Sequence, residues 1–284
     1  MTKRIPMFVF AAVLTLAAVG QPFAQGQSKD ETAINDKNAA TGQELTMLVP
    51  QQCFSSGSGV TFLKICITDN GNISWFESPA GKVHLQQREG YAVCSSVTHP
   101  YDIVHGYDAN VAAAGWGNST VSQPNGAGTF PLIITRQSLD GVIQLKQTFT
   151  RNTAERGIDV KMDVKNLTAM DLNSVYLSRY FDGDIDNSSK NLYDYTYGSV
   201  WARGTGSALT LTSASSGIQV SSNVYPYATW DPFGNPQFQY ARGCEPEKAY
   251  TFGVLSDFVG GLTVYFQTLN PGQTKTVTLL YRRD

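Results

Sequence analysis

A strict alternation of apolar and polar residues from position 158 to 164 constrains the fold more than any other feature of the sequence. Four apolar residues at every second position alternate with three charged ones: Ile158, Val160, Met162 and Val164 against Asp159, Lys161 and Asp163. A period of two predicts a β-strand with one buried face. A second apolar run at 175–181 leads into an acidic segment at 182–187. Two core strands are therefore predicted to deliver an acidic loop to one end of a sheet.

Short apolar or alternating segments recur along the chain and predict further strands at 60–68, 73–76, 83–85, 91–96, 132–137, 142–150, 208–212, 218–221, 249–255, 262–268 and 276–281. Asn70-Gly71 lies between the first two and indicates a hairpin turn, because both residues tolerate positive φ angles. No segment reads as a long amphipathic helix with its caps. The prediction is an all-β fold, one large antiparallel β-sandwich of supersandwich type with long aromatic-rich loops.

The N-terminal segment has the pattern of a signal peptide at residues 1–26. Lys3 and Arg4 precede an apolar run at 5–19, and small residues follow near a cleavage point. The run is short for a membrane span, so we expect a secreted, periplasmic or cell-surface protein with no integral membrane segment after cleavage; a retained anchor is the alternative. Residues 27–44 are polar and predicted to be a disordered leader. Residues 45–284 are predicted to form a single β-sandwich domain.

The charge balance and the cysteine content indicate which partners and which cellular compartment to expect. Removal of residues 1–26 leaves 19 Lys and Arg against 23 Asp and Glu, which gives no electrostatic reason to expect nucleic acid as a partner. Cys53, Cys66, Cys94 and Cys244 are an even set in an exported chain and predict two disulfides. Three pairings are possible, and we favour Cys53 with Cys66 and Cys94 with Cys244. A zinc site is disfavoured because no C-x-x-C spacing occurs.

A recurring set of residues runs through the second half of the chain: Val164-Lys165-Asn166-Leu167-Thr168, Leu172, Val175, Arg179-Tyr180-Phe181-Asp182-Gly183-Asp184 and a late Pro271-Gly272 turn. This set resembles a pattern of exported bacterial β-sandwich proteins, some of which are similar to galactose-mutarotase-like supersandwich domains. The resemblance implies the fold and export. No catalytic residue is carried over from it.

The acidic segment is a candidate metal site. Asp182, Asp184 and Asp186 alternate, and with Asn187 they offer the hard oxygen ligands that calcium prefers. The spacing matches the opening of an EF-hand loop, but Tyr193 stands where that loop needs a Glu. The alternative is a solvated acidic turn that ends a strand and discourages edge pairing.

A second candidate site is the aromatic segment that follows position 224. Pro and Gly residues within 226–236 oppose regular strands and predict a long ordered loop. Its rings and neighbouring polar groups suit a sugar ring, so we predict ligand binding by Tyr225, Tyr227, Trp230, Asp231 and Phe233. The alternative is that these rings plug the open end of the sandwich.

Two of the three histidines form a third candidate. His99 and His105 lie six residues apart, and Asp102 or Asp108 could orient an imidazole. Galactose-mutarotase-like enzymes use histidine with a carboxylate, and the same residue types in this segment make His99, His105 and Asp102 candidates for acid and base catalysis. The alternative is a structural role.

Three functions are compatible with these features. The favoured one is a non-enzymatic ligand-binding or cell-surface protein, with a polysaccharide or other glycan as the ligand. The second is a carbohydrate-active epimerase, lyase or hydrolase, and the third is a structural or assembly component. No G-x-S-x-G, H-E-x-x-H, P-loop or dinucleotide fingerprint occurs in the sequence, which disfavours several large enzyme classes.

Overall fold

The computed structural model describes residues 50–85, 89–98, 101–108, 113–188, 190–226, 255–256 and 258–284. These residues belong to one compact unit that spans 47–284. Within the described ranges the regular structure is nearly all β, with two single-turn 3₁₀ helices as its only helices. No helix in this part of the chain has the length and apolar character needed to cross a membrane.

The strands follow one another along the chain as β1 (Gln51–Ser56), β2 (Leu63–Thr68), β3 (Ile73–Glu77), β4 (Val83–Leu85), β5 (Glu89–Thr98), β6 (Tyr101–Asp108), β7 (Ala113–Ala114), β8 (Thr120–Ser122), β9 (Leu132–Gln137), β10 (Ile143–Asn152), β11 (Gly157–Asn166), β12 (Val175–Phe181), β13 (Asn191–Thr196), β14 (Ser199–Arg203), β15 (Ala208–Ser213), β16 (Gln219–Pro226), β17 (Leu255–Ser256), β18 (Phe258–Tyr265) and β19 (Thr274–Arg283). The 3₁₀ turns cover Gly59–Thr61 and Ile185–Asn187.

These strands form three antiparallel sheets. Nine strands make the largest, in the order β17-β13-β14-β15-β19-β11-β10-β9-β8, and six make the second, in the order β16-β18-β12-β5-β6-β7. β1 to β4 form a third sheet in sequence order. The C-terminal strand β19 lies between β15 and β11, so the end of the chain pairs with the middle of the largest sheet.

All three sheets contribute to one large apolar cluster, and strands of the six-stranded sheet form a second, smaller cluster around Tyr180. The alternating residues of β11 behave as their pattern predicts: Ile158, Val160, Met162 and Val164 are fully buried, whereas Lys161 is exposed. Burial of one face of each large sheet against the other explains why the chain forms a sandwich. The predicted all-β antiparallel sandwich is confirmed.

Strand prediction was accurate where one face is apolar and failed where the pattern is mixed. β9 and β12 have the predicted bounds, and Asn70-Gly71 forms the predicted turn between β2 and β3. The predicted strand at 60–68 begins only at Leu63, because Gly59 takes a φ of 53° and starts a 3₁₀ turn. β1, β6, β7, β8, β13 and β14 were not predicted.

The predicted disulfide between Cys53 and Cys66 is present and joins paired positions of β1 and β2. Cys94 is buried in β5. Its predicted partner Cys244 lies outside the described residues, as do the predicted signal peptide and the predicted disordered leader.

Candidate functional site

The face of the six-stranded sheet that β12, β18 and β16 share carries two rows of side chains. Residues directly opposite on paired strands point to the same side, and so do residues two apart on one strand. The register therefore places Tyr176, Tyr265 and Gln219 in one row and Ser178, Thr263 and Ser221 in the next.

A cleft of about 570 Å³ lies at the β16 edge of this sheet, and its lining includes Gln219 and Ser221 from this face and Val220 and Ser222 from the other. Four of its walls are tyrosine side chains, those of Tyr176, Tyr195, Tyr197 and Tyr265, and we call it the tyrosine cleft. Tyr195 and Tyr197 come from β13 and the turn that follows, so the cleft is built by both large sheets. Its volume is within the range of pockets that hold small organic ligands.

The tyrosine rings that line the cleft differ in how much of their surface is exposed. Tyr176 and Tyr265 pack against each other, with ring centroids 4.9 Å apart and planes inclined by 30°. Tyr197 is 79% exposed, although large apolar surfaces usually pack. Gln219 and Ser221 are accessible beside these rings. The cleft therefore combines apolar ring surfaces with groups that both donate and accept hydrogen bonds.

A polar network lies on the opposite, buried side of the same sheet. Arg179 of β12 is fully buried and its Nε lies 2.5 Å from the Glu89 carboxylate. Its Nη1 donates to Gln147 at 2.6 Å, and its Nη2 donates to the Gly71 carbonyl at 3.0 Å. Tyr281 donates to Glu89 at 2.6 Å, and burial raises the pKa of that phenol well above its usual value, so it stays a donor.

A second inter-sheet ion pair lies in the same buried layer. Arg136 of β9 donates to the Asp108 carboxylate of β6 at 2.6 Å and to the Tyr91 hydroxyl at 3.0 Å. All three side chains are less than 7% exposed. Because both networks are buried and join strands of different sheets, we interpret them as structural links between the sheets.

The histidine candidate forms a chain of hydrogen bonds with a serine and an aspartate. Ser95 Oγ lies 2.7 Å from His105 Nε2, and His105 Nδ1 lies 2.7 Å from Asp140 Oδ2. A carboxylate only accepts, so His105 Nδ1 donates to Asp140, and the Ser95 hydroxyl is the hydrogen-bond partner of Nε2. Partial burial raises the pKa of Asp140, but hydrogen bonds from Ser138, His105 and the Val142 N–H outweigh burial and hold it below its usual value.

This chain has the connectivity of a nucleophile, a base and an orienting acid. The order of burial is the reverse of the order such a triad needs. Ser95 is 2% exposed and His105 is 4% exposed, whereas the Asp140 side chain is 39% exposed. The hydroxyl that would attack a substrate is thus the least accessible group, and the arrangement serves best as a tie between β5, β6 and the turn after β9.

The catalytic role predicted for His99, His105 and Asp102 stays a prediction, because the structure describes the side chain of His105 alone among them. His99 lies outside the described residues, and Asp102 is described only as a backbone position of β6 opposite Ser96. Both ring nitrogens of His105 are taken by Ser95 and Asp140, and Asp108 pairs with Arg136. The partner of His105 is therefore Asp140, which lies 35 residues away in sequence.

The acidic segment follows β12 as predicted. Asp182 is buried, and Asp186 accepts a hydrogen bond from Lys82 at 3.1 Å. Asp186 has a φ of 59° inside the turn that also contains Asn187. Among the described residues no group of three or more His, Cys, Asp or Glu side chains is arranged to hold a metal ion. Calcium binding by Asp182, Asp184, Asp186 and Asn187 stays a prediction.

Most of the predicted aromatic site cannot be placed. Tyr225 is a backbone position of β16, paired with Val259. Tyr227, Trp230, Asp231 and Phe233 lie outside the described residues. Ligand binding by these five residues stays a prediction.

Sequence reasoning missed the tyrosines of β13, although a signal for them exists. Tyr193, Tyr195 and Tyr197 alternate and are followed by Gly198, which has a φ of 74°. Alternating aromatic residues that end in a glycine indicate a strand and a tight turn. Contact of these rings with Tyr176 and Tyr265 depends on sheet topology and carries no local signal.

Comparison with known proteins places the chain by fold alone. No family model matches the sequence, and no curated protein matches it. A bacterial glucoamylase solved with acarbose is similar in structure, with a TM-score of 0.53, 10% identity and coverage of 83% of this chain and 33% of the glucoamylase chain. The described chain thus spans about a third of that protein, and at this identity the likeness shows the fold and nothing more.

Two further structures are similar at lower scores. One, from Escherichia coli K12, is assigned as an aldose 1-epimerase and has a TM-score of 0.48, 13% identity and coverage of 83% of this chain and 99% of its own. The other is a mutant of the heparan sulfate lyase HepC from Pedobacter heparinus, with a TM-score of 0.44, 10% identity and coverage of 81% and 34%. A protein assigned as an aldose 1-epimerase is thus among the structural neighbours.

Proposed function

We propose that this protein is an exported glycan-binding protein that holds a carbohydrate in the tyrosine cleft without transforming it. The observation that carries the proposal is the lining of the cleft, in which four tyrosine rings stand beside hydroxyl and amide groups. Ring faces bind the apolar faces of sugars, and paired donor and acceptor groups match sugar hydroxyls.

Two observations support the proposal more weakly. The fold occurs in a glucoamylase that binds acarbose, so it is compatible with carbohydrate binding. The Cys53–Cys66 disulfide is typical of oxidising compartments and supports export. Ligand binding by the aromatic segment 227–233, which follows β16 in sequence, stays a separate prediction.

The test is glycan binding by wild type and by a variant that leaves the core intact. A broad glycan panel should identify a ligand, and calorimetry should then give its dissociation constant. Tyr197→Ala should weaken binding about tenfold, because it removes one exposed ring and little packing. Met170→Ala is the matched control, since Met170 is 74% exposed and does not line the cleft.

Either of two results would refute the proposal. One is a panel without a single ligand. The other is a ligand whose dissociation constant is the same for wild type and Tyr197→Ala.

A carbohydrate-active enzyme is the second candidate, and the Ser95–His105–Asp140 chain is the observation that favours it. Because Ser95 and His105 are buried, this function requires the sandwich to open beside the turn after β9. Turnover of a glycan by wild type, together with its loss in His105→Gln at unchanged stability, would establish it. Absence of turnover on every glycan that binds would exclude it.

A further inference from the structure

The side chains that line the tyrosine cleft share one chemical property. Among the described residues of the lining, none carries a formal charge at neutral pH: the polar groups are phenols, hydroxyls and one primary amide. All of these except the amide nitrogen and oxygen can donate and accept through the same atom. This is the hydrogen-bonding character of sugar hydroxyls themselves.

An acidic glycan needs different groups. Carboxylates and sulfates are bound in proteins by Arg and Lys, often through two parallel hydrogen bonds, because an anion that loses water requires a compensating charge. No such cation lines the cleft within the described part of the chain. The whole sequence has 23 acidic against 21 basic residues, so its overall field does not attract anions either.

The two rows of the sheet add a geometric constraint. Tyr176, Tyr265 and Gln219 form the row of rings, and the hydroxyl row lies two residues along the same strands. Rows of this kind are about 6.6 Å apart, which is comparable with the width of a sugar ring. A sugar ring stacked on Tyr265 would therefore place its edge beside the accessible Ser221 hydroxyl, whereas the buried Thr263 hydroxyl is hydrogen-bonded to Ser178 at 3.1 Å.

We propose that the ligand of the tyrosine cleft is a neutral glycan and that the cleft discriminates against uronic-acid and sulfated chains. This inference rests on the proposed function, which it narrows to one class of ligand. Discrimination arises because no described residue of the lining supplies a compensating cation beside the rings. A cation at position 219 should weaken this discrimination, because Gln219 is exposed at the end of the row that contains Tyr176 and Tyr265.

The test compares ligands that differ only in charge. Calorimetry is carried out with oligogalacturonate, with the same oligomer as its methyl ester, and with neutral gluco-, manno-, xylo- and galacto-oligosaccharides. Neutral chains should bind, and each charged chain should bind at least about tenfold more weakly than its ester. Affinity for a neutral chain should change less than about twofold between about 50 and about 500 mM NaCl, because no ion pair is screened.

A charge-adding variant provides the converse test. Gln219→Arg should reduce the ratio of the dissociation constants of the acid and its ester about tenfold, because the guanidinium can pair with a carboxylate. Gln137→Arg is the matched control, since Gln137 is also exposed but lies on β9, away from the cleft. Gln137→Arg adds the same charge to the molecule and should leave the ratio of the two dissociation constants unchanged.

The outcomes separate this inference from the proposed function. Binding of the charged oligomer as tight as that of its ester, and lost in Tyr197→Ala, would overturn the inference and leave glycan binding intact. An equal response of Gln219→Arg and Gln137→Arg would also overturn it. No binding of any neutral or charged chain would overturn both.

Discussion

Arg179 is the residue on which the interior of this protein depends most. Its guanidinium contacts Glu89 in the six-stranded sheet, Gln147 in the nine-stranded sheet and the Gly71 carbonyl in the turn between β2 and β3. One fully buried side chain thus joins all three sheets. Its ring neighbours include Phe149, whose centroid lies 5.6 Å from the guanidinium carbon. Burial lowers the pKa of Arg179, but the nearby Glu89 charge more than compensates, and the pKa lies above its usual value.

Removal of this cation should be costly. Arg179→Met leaves the Glu89 carboxylate buried without a counter-charge, and we expect a loss of about 3–5 kcal/mol in the free energy of unfolding, measured in urea. The double variant Arg179→Met with Glu89→Gln should recover about 1–2 kcal/mol, because it removes the unpaired charge. Lys161→Met is the control, since the Lys161–Asp163 pair is half exposed on the Lys side and its loss should cost less than about 0.5 kcal/mol. Equal losses in the single and double variants would contradict this account.

Asp140 should give the protein a specific acid sensitivity. Its pKa in the folded state lies below the usual 3.8, so its contribution to stability is present above pH 3.8 and is lost as the pH falls through the folded-state pKa. The difference in unfolding free energy between wild type and Asp140→Asn should therefore shrink between about pH 5 and about pH 2. Chemical denaturation across this range measures it, and Asp171→Asn at an exposed site controls for general charge effects. A difference that stays constant with pH would show that the hydrogen bonds to Asp140 do not favour its charged form.

At the scale of single elements, a strand could be predicted from sequence when nearly all of its core-facing positions are apolar. β11 and β12 were predicted because their core-facing positions are apolar, with Arg179 as an exception that the pattern tolerates. β6 was not predicted as a strand. Its pairing with β5 is interrupted by register shifts, and such shifts break the period of two that identifies a strand in sequence. The buried polar partners of Arg179 could not be predicted, since they come from strands that meet only in the folded sandwich.

The contact between β11 and β19 leaves no room for a side chain at Gly157. A Cβ at this position would lie 1.9 Å from the Tyr281 carbonyl oxygen, which is backbone and cannot move without breaking the pairing. Gly157→Ala should therefore destabilise the protein by about 1–3 kcal/mol in urea unfolding. Gly206→Ala is the matched control, because a Cβ there meets no atom within 4 Å. If the two variants had equal stability, the close approach of the two strands would be disproved.

The tyrosine cleft belongs to the scale of the whole molecule. Tyr176, Tyr195 and Tyr265 come from three strands and two sheets, so no local pattern could have predicted that they meet. The sequence analysis predicted aromatic rings beside polar groups at 225–233, which stays a prediction, and did not single out these three tyrosines. The acidic segment shows the same limit, because the contact of Asp186 with Lys82 spans 104 residues and depends on β4 lying beside the turn after β12.

All three sheets should unfold together, and the disulfide tests whether they do. Ile67 and Ile73 of the four-stranded sheet belong to the same apolar cluster as Val160 of β11, so the small sheet has no core of its own. Replacement of Cys53 and Cys66 by alanine opens a bridge with a sequence separation of 13 and should cost about 3 kcal/mol through the greater freedom of the unfolded chain. Differential scanning calorimetry should then show one transition at a lower temperature, with equal calorimetric and van't Hoff enthalpies. Wild type under the same non-reducing conditions is the reference. Two transitions in the variant would show that β1 to β4 form a separate cooperative unit. One transition, together with an unchanged dissociation constant for a glycan, would show that the disulfide stabilises the fold without shaping the tyrosine cleft.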